Sequence, residues 1–259
     1  VSGAQNIPNY VPASGLVAWW PFNGNANDES GNLIHGTVNG PVLTTDRFGN
    51  AGKAYSFDGI DDMIEVPEKP ALICRKITVS LWVYSLDSSP AEILYKADLN
   101  TAASEMYSLT SVYDFAVKSG SGCAPGVGWQ NVQYKQNGNI LVWNQVVATY
   151  DGDSILIYHN GVRRNGTYLK SLIDSCAGSN VRFGYAHNYL PNCGYPFKGK
   201  LDDIGIWNRA LTAQEIAKLY QSGVGLSAGD PANRLRVYPN PAGNELYVKD
   251  LKNNTDWIA

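Results

Sequence analysis

The chain has 259 residues, 44% of them hydrophobic and 17% charged, with a formal net charge of −3. That balance suits one large β-domain with extensions, and it carries no basic footprint of the kind a nucleic-acid binder needs. No apolar run approaches the roughly 20 residues of a membrane-spanning helix, so no membrane insertion is expected.

Residues 1–14, VSGAQNIPNYVPAS, are polar and proline-punctuated and read as a linker, not a cleavable export signal. A strand is expected at 16–20. The loop FNGNANDESGN (22–32) follows, dense in side-chain oxygens and holding Gly24 and Gly31, which let backbone carbonyls turn inward. Strands at 54–58 and 63–66 flank FDGIDD, whose Asp58, Asp61 and Asp62 read as a hairpin turn around Gly59. KITVSLWVY (76–84) alternates Ile77, Val79, Leu81 and Val83 with polar or aromatic residues, the period of a strand with two different faces.

Strands at 91–96 and 106–112 come next, then a glycine-rich loop, SGSGCAPGVGWQNVQY (119–134), carrying Trp129 and Tyr134. VVATYDGDSILIYHNG (146–161) reads as two strands around Asp151-Gly152-Asp153, ending at Asn160-Gly161, a type I′ hairpin signal. A strand at 181–186 leads into YAHNYLPNCGYPF (185–197), where Tyr185, His187, Asn188, Tyr189 and Tyr195 gather. The last strand of the series is 199–207, with adjacent carboxylates Asp202 and Asp203. Many strands at short spacing imply an all-β, two-sheet antiparallel sandwich.

One short helix closes the domain. Thr212 and Glu215 form a capping box, Ile216, Leu219 and Tyr220 give one apolar stripe, and Gly223 terminates it. It is expected to plug one end of the sandwich. Residues 224–234 have linker composition, and the 25 residues 235–259 are too few to bury a core of their own.

The segments GLVAWWPFNGNANDESGN, AYSFDGIDDMIEV, TVSLWVY, WNQVVATYDGDSILIYHNGV and LDDIGIWNRALTAQEIAKLY occur in that order. Together they resemble the LamG-like jelly roll of the concanavalin A-like lectin/glucanase superfamily over residues 15–223. Gln145 stands where that family's Trp-x-His-Val motif has its His. Val237-Tyr238-Pro239-Asn240-Pro241 resembles the start of a type IX secretion sorting domain, which implies a secreted or cell-surface parent, with this chain an excised, monomeric module of it.

The jelly-roll resemblance implies a structural calcium held by Asp28, the Gly31 carbonyl and Asp202, with Asp203 beside them. Calcium takes six to eight oxygen ligands, and the 22–32 loop offers many. Against Asp203, neighbours on a strand face opposite sides. Against Asp28, such a residue can simply make an Asx turn.

The cysteines are Cys74, Cys123, Cys176 and Cys193. None forms a C-x-x-C pair, so disulfides are favoured over zinc. Cys176 and Cys193 enclose 16 residues; closing that loop contributes about 3 kcal/mol in the chain-entropy model. That pairing, with Cys74–Cys123, is the preferred one of three possible connectivities.

The chain has 16 Tyr and 7 Trp against 6 Phe, so it is rich in rings with an apolar face and a polar edge, which suit sugars. The expected sugar contacts are Tyr185, His187, Asn188, Tyr189 and Tyr195 in one loop and Trp129 in the other. Trp19, Trp20, Trp82 and Trp207 fall inside strand patterns and read as core or sheet-face residues. The superfamily's Glu-x-Asp-x-x-Glu strand is absent, and Glu65, Glu92 and Glu105 have no carboxylate at that spacing. No G-x-S-x-G or H-E-x-x-H motif is present. The expectation is therefore a non-catalytic module that binds a polysaccharide or glycan, and not an enzyme. A protein-binding adhesion or spacer module is the alternative, and a hydrolase with an atypical carboxylate pair the third reading.

Overall fold

The structure, a computed structural model, describes residues 7–96, 106–124, 128–134, 140–185, 195–223, 235–239, 246–250 and 255–258. In chain order its strands are β1 (Leu16–Trp20), β2 (Thr37–Asn39), β3 (Val42–Thr44), β4 (Ala54–Asp58), β5 (Met63–Val66), β6 (Ile77–Ser85), β7 (Glu92–Lys96) and β8 (Tyr107–Thr110). There follow β9 (Asp114–Lys118), β10 (Trp129–Gln133), β11 (Asn144–Tyr150), β12 (Ser154–His159), β13 (Val162–Tyr168), β14 (Val181–Phe183), β15 (Lys198–Trp207) and the helix α1 (Ala213–Gly223). Beyond them β16 (Leu235–Pro239), β17 (Leu246–Asp250) and β18 (Thr255–Ile258) make a separate three-stranded antiparallel sheet.

Two antiparallel sheets form a jelly-roll sandwich. One has eight strands, in the order β13-β12-β11-β6-β15-β4-β3, with β1 also paired to β15. The other has seven, in the order β10-β9-β8-β7-β14-β5-β2. The period-two pattern explains the core between them. Ile77, Val79, Leu81 and Val83 of β6 and Ile204 and Ile206 of β15 meet Ile64, Phe183, Leu94, Leu109, Phe115 and Val117 of the facing sheet. Trp20 lies edge-on to Phe183, with ring centroids 5.1 Å apart.

A second, smaller core lies on the other face of the eight-stranded sheet. There Ile216 and Leu219 of α1 pack with Trp19, Trp207, Val147 and Tyr158. The helix therefore covers the outer face of that sheet instead of plugging an end. Its capping box is formed as expected: the Glu215 amide donates to Thr212 Oγ1 at 3.2 Å, and the Thr212 amide donates to Glu215 Oε2 at 2.8 Å. Residues 7–14, expected as linker, belong to this layer. Val11 is buried in it, and the Trp207 indole donates to the Pro12 carbonyl at 2.6 Å.

The turn at Asn160-Gly161 has positive φ at both residues (51° and 74°), as a type I′ hairpin between β12 and β13 requires. The Asp58–Asp62 turn is not a hairpin: β4 lies in the eight-stranded sheet and β5 in the seven-stranded one, so the turn carries the chain from one layer to the other. The 129–133 part of the expected glycine-rich loop is a strand, β10, at the edge of the seven-stranded sheet.

Candidate functional site

The 22–32 loop is organised by one carboxylate. Asp28 Oδ1 accepts the amides of Trp19 (2.9 Å) and Ser30 (2.8 Å), and its Oδ2 accepts the Ser30 hydroxyl (2.9 Å) and the Ile34 amide (3.0 Å). A carboxylate has about four acceptor positions, and four donors fill them. Asp28 thus works as an Asx hub that fastens the loop to β1.

Asp202 and Asp203 meet a different partner. Arg47 Nη1 lies 2.7 Å from Asp202 Oδ2, and Nη2 lies 2.7 Å from Asp203 Oδ2. Adjacent carboxylates reach one guanidinium because β15 bulges between Asp202 and Gly205, with Asp203 at φ +47°. The bulge sits where β15 exchanges one neighbour, β4, for another, β1. The guanidinium also lies 4.6 Å from the ring centroids of Trp82 and Phe48. Burial, with the Asp203 charge beside it, pushes Asp202 well above the usual carboxylate range, and Arg47 opposes both.

This donor set does not fit the implied calcium. Asp28 faces four hydrogen-bond donors, and the Asp202–Asp203 pair faces a fixed guanidinium. The resemblance placed Gly31 in the ligand set; it turns the loop with φ +92°. Among the described residues, Asp58, Asp61 and Asp62 form a group of carboxylates close enough to share an ion, and the inter-sheet turn already explains that grouping.

The disulfide is Cys123–Cys176, with Cα atoms 5.6 Å apart. This corrects the expected pairing: Cys74 is a buried free thiol, and Cys193 lies outside the described residues. The bridge therefore anchors residues 119–124, between β9 and β10 in the chain. Asp174 anchors the same loop, accepting the amides of Gly120 (3.0 Å) and Ser121 (2.9 Å) and the Ser121 hydroxyl (2.7 Å).

The seven-stranded sheet also has an outer face. Residues alternating with the core form one row with a member on every strand: Thr37, Glu65, Arg182, Tyr95, Ser108, Ala116 and Asn131, each paired with the next. Ser108 and Ala116 make a low floor in its middle. On one side lies the cross-strand pair Lys118–Trp129, and on the other Glu92–Thr110 and Asp114–Gln133. Two strands beyond Ser108, the Arg182 guanidinium pairs with Glu65 at 3.5 Å.

Asp114 is held by neutral donors. Asn131 Nδ2 lies 2.9 and 3.1 Å from its two oxygens, Gln133 Nε2 also donates to it, and its own amide donates to Thr110 Oγ1 at 3.2 Å. Glu92 is its counterpart across β8. The Glu92 residue is partly exposed, yet its Oε2 atom is buried and accepts no hydrogen bond among the described residues. Burial, and next the Asp114 charge, raise Glu92 to about 8.

Of the expected sugar contacts, Trp129 lies on this face, on β10 rather than in a loop. Tyr195 borders it: its carbonyl accepts the Glu92 amide at 3.0 Å, and the residue is 51% exposed. Tyr185 follows β14 directly after Gly184, whose amide donates to the Ile93 carbonyl. His187, Asn188 and Tyr189 lie outside the described residues. Tyr134 packs inward, 5.7 Å from the His159 ring, which also stacks on Tyr113. The sequence reading weighed Glu92 only as a catalytic carboxylate and set it aside, and it did not single out Asp114, Asn131, Gln133 or Tyr95. A signal existed in WQNVQ, where buried Val132 alternates with polar neighbours, but the nearby glycines masked it as loop.

Residues 58–217 match the family model described as the concanavalin A-like lectin/glucanases superfamily. No curated protein sequence matches the chain significantly. Among solved structures, domain 4 of AbnA, a GH43 extracellular arabinanase from Geobacillus stearothermophilus solved with arabinotriose, is similar at TM-score 0.60 and 19% identity, over 80% of this chain and 98% of that one. The binding domain of botulinum neurotoxin DC, solved in complex with SialylT, is similar at TM-score 0.61 and 14% identity, over 95% and 64%. The binding domain of Paraclostridial Mosquitocidal Protein 1 is similar at TM-score 0.62 and 16% identity, over 91% and 63%. This chain spans less than two thirds of each of those two toxin binding domains.

Proposed function

The chain belongs to the concanavalin A-like lectin/glucanases superfamily, and from that premise we propose that it is a non-catalytic carbohydrate-binding module whose ligand lies on the outer face of the seven-stranded sheet. The observation that carries this reading is the seven-residue row, polar except at Ala116, floored by Ser108 and Ala116 and flanked by Trp129. Sugars combine apolar C–H faces with directional hydroxyls, so they suit an aromatic ring beside fixed amides and a carboxylate. Support also comes from the similar arabinanase domain, whose structure holds arabinotriose, and from the toxin binding domain solved with SialylT.

A binding module of this kind holds its parent at a polysaccharide and raises the local concentration of substrate. Residues 237–241 support a secreted or cell-surface parent. No helix among the described residues is long and apolar enough to cross a membrane. The reading carries no step through calcium.

Isothermal titration against a panel of polysaccharides tests the proposal. Trp129→Ala and Asn131→Ala should each weaken binding about tenfold or more with an unchanged melting temperature, the scale of one lost ring or hydrogen-bonding contact of about 1.4 kcal/mol. Binding indifferent to both variants would remove the ligand from this face. Reducing ends released from the panel would replace the module reading with that of a hydrolase, and no binding at all would favour an adhesion or spacer role.

A further inference from the structure

The outer face holds two carboxyl groups in opposite circumstances. Asp114 receives N–H donors from Asn131 and Gln133. Glu92 receives none at Oε2, although that atom is buried. A buried carboxylate anion without donors is costly, and it is costlier beside a second anion. A proton on Glu92 relieves that cost. A protonated Glu92 has an O–H to give, and among the described residues its buried Oε2 has no hydrogen-bond partner.

We infer that this face takes a neutral, hydroxyl-rich oligosaccharide, with Glu92 donating a hydrogen bond from its carboxyl O–H to a sugar oxygen while the amide-held Asp114 carboxylate accepts one from a sugar hydroxyl. The inference rests on the glycan-binding reading and deepens it. The charge on Asp114 disfavours a uronate or sialylated ligand at the same place, because two anions would share a poorly solvated site. The charged and titratable groups on the elements around Glu92 are Asp114 and Lys118 on β9, Tyr95 and Lys96 on β7, Arg182 on β14, and Tyr185 and Tyr195 beside them. Of these, Asp114 is the one whose charge acts on Glu92, and it holds the proton in place. Arg182 is engaged by Glu65. Ionisation of Glu92, with a pKa of about 8, removes the donor and adds a negative charge.

The test is titration of arabinotriose and of a galacturonic acid trisaccharide into the full chain at about pH 6 and about pH 9. Arabinotriose affinity should fall about tenfold across that interval as the donor is lost, and the acidic trisaccharide should bind far more weakly at both. Glu92→Gln keeps a donor without a titrating proton, so it should retain arabinotriose binding and flatten the pH dependence. Glu92→Ala should lose it. A pH-independent affinity in the natural chain, or equal affinity for the acidic sugar, overturns this inference and leaves the glycan reading standing. Failure of every glycan in the wider panel overturns both.

Discussion

Asp203 stands in left-handed backbone beside Asp202, and the two carboxylates close on opposite nitrogens of one buried guanidinium. Two buried carboxyl groups share one cation there, so removing Arg47 leaves the pair uncompensated. Arg47→Gln should lower stability by about 3–5 kcal/mol, the usual cost of breaking a buried ion pair from one side, read as an earlier urea midpoint. In the natural chain a chelator should leave the melting temperature in place. A clear drop on chelation would restore a calcium role to these carboxylates.

The Cys123–Cys176 bridge spans 53 positions. In the chain-entropy model its loss should cost about 4 kcal/mol. The double variant Cys123→Ser/Cys176→Ser should melt earlier and, since the bridge anchors residues 119–124 between β9 and β10, weaken glycan binding as well. Burial raises the Cys74 thiol to about 12, so thiol-alkylating reagent should leave it unmodified in the native protein. Rapid labelling of Cys74 without denaturant would contradict that placement.

Glu92 also leaves a mark on stability. Its pKa rises from 4.5 to about 8 on folding, so between those values the folded state keeps a proton that the unfolded state has released. Stability contributed this way is complete below about pH 4.5 and is lost as pH rises towards 8. Glu92→Gln should therefore be more stable than the natural chain at alkaline pH, with the difference shrinking in acid. Urea unfolding across that range measures it.

His159 behaves oppositely. Burial, and then the Arg164 charge, lower its pKa from 6.5 to about 4. The unfolded chain takes up a proton first, so stability present above about pH 6.5 is lost as pH falls towards 4. His159→Gln should flatten that acid limb of the stability curve, whatever it costs at neutral pH.

Gly184 has φ +87°, and a Cβ there would come 2.2 Å from Phe57 Cδ1. Gly184→Ala adds left-handed strain to a core clash and should cost about 2–4 kcal/mol. It should also disturb Tyr185 and the β14–β7 junction beside Glu92. An unchanged melting temperature would show that this turn has room the structure does not display.

Local chemistry was readable from the chain alone. The alternation in β6 announced a two-faced strand, Thr212 and Glu215 announced their helix, and Asn160-Gly161 announced a type I′ turn, because each signal lies within a few residues of its own effect. Short strands with mixed composition, such as β2, β3 and β10, were silent for the same reason: their pairing partners, not their residues, make them strands.

What the amino-acid order settled, then, is the sandwich and its kind of turns. The site was settled by sheet order. The Asp114 charge acts on Glu92 only because one strand, β8, separates β7 from β9, and Arg47 meets Asp202, 155 positions away, only because β15 bulges where it changes neighbours. Cys176 takes Cys123 and not the nearer Cys193 for a like reason: the segment around Ile173 bridges to Ser119, just beyond β9. Periodicity tells a side chain which face to occupy; folding of the whole chain decides which distant side chain shares that face with it.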